Sequence, residues 1–501
     1  MKQRTTKLVW VSTAIVSAVL ALGSWAFSSP VGSSPDDDFH NASIWCGQGS
    51  RDGLCEDGTS PSSVVVSSQL VQNCFKFFPE VGGACEISES FQETNRANLS
   101  GNYPGFYYWT MSWFASSDVP ASILTMRFVN IFLAIGLLAL VITFLPRNLR
   151  TVPLVAVLGT AVPLGLFLYA SVNPSSWGLF SVVIFFSAVL GFFASNNTSQ
   201  KIVLGSLAGV SAVMGAGSRQ DTPGFLLFAG LMAVFLSLSS RWLPSRKILI
   251  IGALSGLSIL FLISTLLTQT FIGNFFRGAE WFGRPVSPES FFRNFLEIPD
   301  LIVGAFGYWG LGWLDTSLPS SVWLTSFGIF LGLIVSTMTS WSSRQKVAFA
   351  ATALALVAIP LYLLTVNGLF VGEVVQPRYL LPLLALALAV SVLKNPDQVG
   401  LQLSRLQFLI IGFGLAIANT ISLHINMRRY LTGIDSTELS LNRGIEWWWV
   451  EPPLYANNFW FSPNNVWIGG SLAFAVFLIA IWKLRHELGF SDQKVKQKLS
   501  D

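Results

Sequence analysis

The sequence predicts an all-α integral membrane protein of about twelve transmembrane helices, with a disulfide-bearing external loop after the first. Three observations carry this prediction. Hydrophobic residues make up 52% of the 501 and charged ones 11%, against roughly 25% charged in soluble domains. Apolar runs of about 18 or more residues, each long enough to cross a bilayer, recur along the chain. The charges also sort onto two sides.

In chain order the runs fall near 8–27, 121–145, 151–172, 178–196, 202–217, 224–240, 248–268, 300–318, 321–341, 347–366, 380–393, 405–425 and 466–483. The run at 300–318, DLIVGAFGYWGLGWLDTSL, is Gly-rich with an acid at each end, and reads as a re-entrant or interfacial segment. Setting it aside leaves twelve spans and puts both termini on one side, which the Lys- and Arg-bearing ends mark as cytoplasmic. Of the acids, only Asp397, Glu487, Asp492 and Asp501 then lie inside, and Lys76 is the one lysine outside.

The first helix, within residues 1–27, carries an apolar stretch longer than a usual signal-peptide core and reads as an uncleaved anchor. Residues 28–120 form an external loop or small domain, too long to be a plain connection. All four cysteines, Cys46, Cys55, Cys74 and Cys85, lie there. An even set in an exported loop indicates two disulfides rather than zinc, since no C-x-x-C spacing occurs. Cys46–Cys55 with Cys74–Cys85 closes the shortest loops of three connectivities, and the sequence does not choose among them. Asn41 and Asn98 head external N-x-S/T triplets, the form of glycan acceptors in a eukaryote. The aromatic patch Tyr103–Phe114 reads as an interfacial stretch that returns the chain to the bilayer. Residues 121–483 form the polytopic domain, in which 269–299 reads as an interfacial helical stretch. Residues 484–501 form a charged cytoplasmic tail.

The predicted spans are nearly free of ionisable groups, Arg127 excepted. Ion-coupled transport needs such groups at mid-membrane depth, so the clean cores argue against it. No internal repeat is visible. The chemistry concentrates at the outer face, where Asp36, Asp37, Asp38 and His40 follow the first helix and Arg219 with Asp221, Arg378, Arg428 and Arg429 close later hairpins. Arginine forks match phosphate oxygens. A neighbouring carboxylate can act as a general base or hold a divalent cation. Each part also has a plainer reading: solvated acids, an Arg219–Asp221 surface pair, a snorkelling Arg378, interface anchors at Arg428 and Arg429, surface histidines at His40 and His424, and an aromatic belt at Trp447–Trp449.

Four motifs tie these residues together. Pro35-Asp36-Asp37-x-x-His40, Asn173-Pro-Ser-Ser-Trp177, Gly312-Trp-Leu-Asp315-Thr with Pro319, and Gln376-Pro-Arg378-Tyr379-Leu-Leu-Pro382 occur in that order. They resemble the P-D-E-x-x-H, N-P-S-G, G-W-L-D-T-P and Q-G-R-Y-x-x-P signatures of a bacterial polytopic family labelled as a domain of unknown function. That family looks like a branch of the GT-C glycosyltransferases. Asp37 stands in place of Glu, Ser176 of Gly and Pro377 of Gly.

The resemblance implies a GT-C-like fold and Asp36 or Asp37 as catalytic base or as ligand of a divalent cation, Mg or Mn. It implies His40 beside them, and donor phosphate held by Arg378 and Arg219, with Arg428 and Arg429 as further outer-face cations. Asp221, Asn173, Gln376, Tyr379 and Asp315 are supporting residues. The expected partners are a polyprenyl-phosphate-linked sugar, a glycan or glycolipid acceptor of the cell envelope, and the bilayer, with no nucleic acid. The expected place is the plasma membrane with the active site extracytoplasmic. A flippase or transporter of lipid-linked saccharide, or a non-catalytic envelope-assembly partner, are the rival readings.

Overall fold

The computed structural model describes residues 2–85, 87, 90–237, 287–393, 401–442, 447–449 and 461–490. The expected span at 248–268, the interfacial stretch before residue 287, Asp397 and the tail beyond 490 lie outside the described residues. Eight helices among the described residues are long and apolar enough to cross a membrane. They are α1 (Lys2–Phe27), α4 (Val119–Phe144), the Arg147–Tyr169 unit containing α5 (Thr151–Thr160), α6 (Pro174–Ala194), α10 (Ser320–Met338), α11 (Ser343–Val366), α13 (Arg405–Leu431) and α14 (Pro463–Lys483). Two more, α8 (Thr222–Ser237) and α12 (Leu381–Val392), are apolar but shorter. The expected span at 202–217 is α7 (Thr198–Ala216), whose polar first turn and glycines keep it out of that set.

The helices fall into two environments. The α5 unit and α6 are mostly buried inside the protein, and every residue of α12 is buried. A helix apolar all round belongs at the centre of a bundle. About a third of α1, α4, α10 and α11 is buried, and Leu8, Leu20, Phe132, Leu140 and Leu324 are left on the outside for lipid. Small residues let these helices close up, as in other membrane bundles. A Cβ at Gly159 would meet Leu388, and one at Gly470 would meet Ser24. Polar links cross the bundle as well: Trp25 Nε1 donates to Asn419 Oδ1 at 2.9 Å. Each such bond contributes only about 0.6 kcal/mol in a bilayer, so packing dominates.

The two terminal segments share one end of the bundle. Lys7 Nζ lies 2.6 Å from Glu487 Oε2, and Arg150 Nη1 donates to the Glu487 carbonyl at 3.0 Å. The opposite end carries the segment between α1 and α4, which is a small domain rather than a loop. It holds α2 (Asp37–Trp45), the antiparallel strands β1 (Cys55–Asp57), β2 (Val64–Ser67) and β3 (Phe91–Thr94) in the order β1-β2-β3, and α3 (Gly105–Met111). The sheet was not foreseen. Its strands are three or four residues long, too short for an alternation pattern to stand out. The disulfides are Cys46–Cys55 and Cys74–Cys85, the pairing with the shortest loops.

Three expectations change here. The aromatic patch is only half interfacial: Trp109 and Trp113 are exposed, but Tyr107 and Tyr108 are buried. Trp447 is buried and Trp449 Nε1 donates to the Phe27 carbonyl at 2.8 Å, so neither forms a belt. Asn41 is wholly buried and the Asn98 amide donates to the Tyr103 carbonyl, which leaves both poorly placed to accept glycans. The run at 300–318 does not continue as a helix: α9 (Pro288–Gly304) ends and turns follow, with positive φ at Gly307, Gly310, Gly312 and Leu314.

Candidate active site

The chain leaves α1 and enters α2 through residues 28–36, and donors from four distant helices or loops hold this stretch. Arg127 of α4, buried within its span, donates to the carbonyls of Ala26 and Ser29 at 2.6 Å and of Pro30 at 2.8 Å. Asn426 of α13 reaches the hydroxyls of Ser28 and Ser29 at 2.9 and 2.8 Å. Trp313 Nε1 donates to the Gly32 carbonyl at 2.9 Å, and the Tyr430 hydroxyl to the Ser33 carbonyl at 3.1 Å. Asn173 Nδ2 donates to the Pro35 carbonyl at 2.9 Å, while its Oδ1 caps α6 by accepting from the Ser175 amide. Buried carbonyls need such partners. The motifs at 173–177 and 312–316 are thus largely scaffolding for the turn at 35–37. Gly312 fits this role at φ 60°, because a Cβ there would strike the Tyr430 hydroxyl and crowd the Ser33 carbonyl.

Asp36 occupies the N-cap position of α2 but does not cap it. Its backbone is left-handed, φ 60° and ψ 22°. That conformation costs on the order of 1–3 kcal/mol away from glycine and recurs at functional sites. It aims the carboxylate at Arg378, whose Nη2 donates to Asp36 Oδ2 at 2.6 Å. Arg96 Nη2 stands 3.8 Å from Oδ1. Burial works to raise the Asp36 carboxyl, but the charge and hydrogen bond of Arg378, with His40 and Arg96, hold it below its usual range. Asp36 is therefore ionised at neutral pH and partly open to solvent.

Asp37 differs. It is buried, Oδ2 accepts from the Ser34 amide at 2.8 Å, and Oδ1 has no partner among the described residues. Burial pushes its carboxyl up to about 8, against the Ser34 bond and the charge of Arg127. Asp38 is locked between Lys76 Nζ at 2.9 Å and the fork of Arg96 at 2.8 and 3.1 Å. His40 is buried, shares a hydrogen bond of 2.8 Å with the Tyr108 hydroxyl through Nδ1, and is stacked on that ring. Burial drives it down to about 3, leaving the imidazole neutral.

The partner side converges on the same place. Gln376, Arg378 and Tyr379 come from the turn before α12, and Arg219 from the loop after α7. Both guanidiniums lie on the Tyr379 ring, 4.4 Å for Arg219 and 5.1 Å for Arg378. Arg219 is held by the Asp221 carboxylate at 2.9 and 2.8 Å and by Ser175 Oγ at 2.9 Å. Arg378 is far less satisfied: Nε and Nη1 are buried with no partner among the described residues, as is Gln376 Oε1. Burial pushes the Tyr103 hydroxyl up to about 12, against the charges of Arg219 and Arg378. Asp36, His40, Tyr103, Tyr108, Arg219, Arg378 and Tyr379 thus form one cluster.

Three expected residues stand apart from it. Arg428 donates to Ser436 and to the Ser440 carbonyl. Arg429 donates to the carbonyls of Val81 and Phe75 and pairs with Asp315 at 2.8 Å, all in the interior. Their donors serve the fold, and Asp315 supports the cysteine loop through Arg429. Conversely, Arg96, Lys76, Tyr103 and Tyr108 belong to the site or its rim without having been singled out. Lys76, the one external lysine, and the two tyrosines of the aromatic patch carried a signal, and Arg96 carried none.

Asp36 and Asp37 are poorly suited to share a cation. One is bound to a guanidinium and the other retains a proton at neutral pH. The described residues contain no group of three or more His, Cys, Asp or Glu side chains placed to hold a metal.

The model of a family described as predicted membrane protein (DUF2142) matches residues 19–387, and the chain belongs to that family. The matched range contains all four motifs. No curated protein and no solved structure matches the chain.

Proposed function

We propose that this member of the family is a membrane glycosyltransferase of GT-C type, moving a sugar from a polyprenyl-phosphate donor to a glycan or glycolipid of the cell envelope. The reading places about twelve spans in the plasma membrane, both termini in the cytoplasm and the Asp36 face outside. The observation that carries it is Arg378: buried, bound to Asp36 through one nitrogen, and with two further nitrogens unpartnered among the described residues. Such a group suits an anion that sits beside a carboxylate. Free N–H donors at a buried guanidinium favour phosphate.

In this reading the donor phosphate meets Arg378, with Arg219 behind it as a second positive charge. The acceptor oxygen attacks the anomeric carbon while the bond from that carbon to the phosphate oxygen breaks. The electron pair leaves on the polyprenyl phosphate, and the acceptor proton passes to Asp36. The ionised state of Asp36 supports its role as base. Neutral His40, with Tyr108 and Tyr103, positions the first turn of α2. No step is drawn through a divalent cation, because Arg378 already occupies the carboxylate.

The test is transfer from radiolabelled polyprenyl-phosphate sugars by the full chain in lipid nanodiscs. The expected result is incorporation into an envelope glycan or lipid acceptor, and its loss in Asp36→Asn protein that still folds and keeps both disulfides. Undiminished transfer in Asp36→Asn would sink the assignment.

A further inference from the structure

We propose that the rim running from Asp36 through Arg96, Asp38 and Lys76 to Trp313 and Phe77 is the acceptor subsite, binding a saccharide chain with Phe77 as its stacking platform. The inference rests on the transfer reading and deepens it, since it says from which side the second substrate arrives.

Asp36 has two unlike sides. Toward Arg378 it is closed, that side chain being only 2% exposed, whereas the Arg96 side chain is 47% exposed. Among the described residues the exposed side of Asp36 is the one that Arg96 borders. From there the polar path continues without a break: Arg96 to Asp38, Asp38 to Lys76, and Lys76 Nζ 4.1 Å over the Trp313 ring. Phe77 stands edge-on to Trp313 at 5.5 Å. Carboxylate and guanidinium groups bond sugar hydroxyls, and an aromatic face stacks on the apolar face of a sugar ring.

Phe77 is the residue that folding alone does not account for. Its backbone is left-handed at φ 64°, strained for a bulky side chain. The residue is 62% exposed, with the Lys76 ammonium 5.4 Å from its ring centre, so burial offsets little of that cost. Yet the Cys74–Cys85 loop that carries it is firmly tied. Arg429 holds the carbonyls of Phe75 and Val81, Gly83 donates to the Tyr430 carbonyl, and Ile434 to the Pro79 carbonyl. A strained, exposed aromatic on an anchored loop beside the open side of the site indicates a surface kept for a ligand.

The test pairs binding with stability. Full-chain protein in nanodiscs is titrated calorimetrically with linear oligosaccharides of three to six hexose or pentose units and, separately, with polyprenyl phosphate. Phe77→Gly is expected to leave the melting temperature equal or higher, because glycine relieves the left-handed strain. It is also expected to weaken the best-bound oligosaccharide at least tenfold with polyprenyl phosphate affinity unchanged. Arg378→Ala is expected to do the reverse. Phe77→Gly binding saccharide as tightly as the unaltered protein, as expected were Phe77 a bilayer contact, overturns the subsite. So does the absence of saturable binding by any oligosaccharide. Failure of the polyprenyl phosphate arm alone counts against the transfer reading instead.

Discussion

Arg378 Nη2 and Asp36 Oδ2 meet at 2.6 Å although 342 positions separate them in the chain. The pair joins the turn before α12 to the turn before α2, and it sets one buried cation beside one partly exposed anion. Lysine at 378 keeps the charge but offers a single ammonium, which cannot bind Asp36 and spread donors toward a phosphate at once. Arg378→Lys is therefore expected to fold and to lose about 100-fold or more in transfer, the scale set by removing one preorganised electrostatic donor. The check is single-turnover transfer beside a thermal melt.

Asp37 is expected to shape stability rather than chemistry. Its carboxyl is raised by burial from an ordinary 3.8 to about 8. Between those values the folded chain holds a proton that the unfolded chain has released, so the stability it contributes is complete below the lower value and lost as pH rises through about 8. Asp36 and Asp38, both held low by arginine and lysine partners, contribute in the opposite sense toward acid, and so does His40, which burial drives from an ordinary 6.5 down to about 3. Melting temperature should thus fall between about pH 6.5 and pH 8 in the unaltered protein. Asp37→Asn, which still accepts from the Ser34 amide, should flatten that slope and retain most of the transfer activity. An unchanged slope in Asp37→Asn would remove Asp37 as its source.

Much of this site was legible in the residues, and the rest was hidden for physical reasons. Hydropathy located the eight long apolar helices found among the described residues, because a bilayer demands long apolar runs. The motif order brought out Asp36 and Arg378, which do meet, and Asn173, which holds the Pro35 carbonyl next to them. What it could not separate was Asp36 from Asp37, since one residue of offset at the start of α2 decides between solvent and interior. Arg428 and Arg429 looked like outer-face cations because nothing in a sequence says that a guanidinium will turn inward onto carbonyls. Arg96 lay in a segment with no periodic signal, just after a strand too short to announce itself.

Arg127 tests whether the turn at 28–36 is held from beneath. It donates to three carbonyls, and at 3.4 Å to the Ser33 hydroxyl, without bonding to the Asp36 cluster. Replacing it with methionine removes three charge-assisted bonds and strands their acceptors away from water, at about 1–3 kcal/mol each before relaxation. Arg127→Met is expected to lower stability by roughly 3 kcal/mol or more and to lose transfer with it. Arg127→Gln, with one amide donor, should recover part of both. Loss of activity at full stability would mean that Arg127 acts on the reaction rather than on the turn.

The Arg429–Asp315 pair separates structural arginines from phosphate-binding ones. Both side chains are almost wholly buried, 0% and 7% exposed. Breaking such a pair strands a charge and typically costs about 3–5 kcal/mol, while removing both charges together can be nearly neutral. Arg429→Met should therefore be strongly destabilising, and Arg429→Met with Asp315→Asn should regain much of the loss. Arg428 makes long bonds of 3.4 and 3.3 Å among the described residues, to Ser436 and to the Ser440 carbonyl. Arg428→Ala should accordingly cost well under half as much as Arg429→Met. Neither arginine should alter polyprenyl phosphate affinity in protein that remains folded, whereas Arg378→Ala should abolish it. A drop in that affinity with Arg428→Ala would return Arg428 to the donor site.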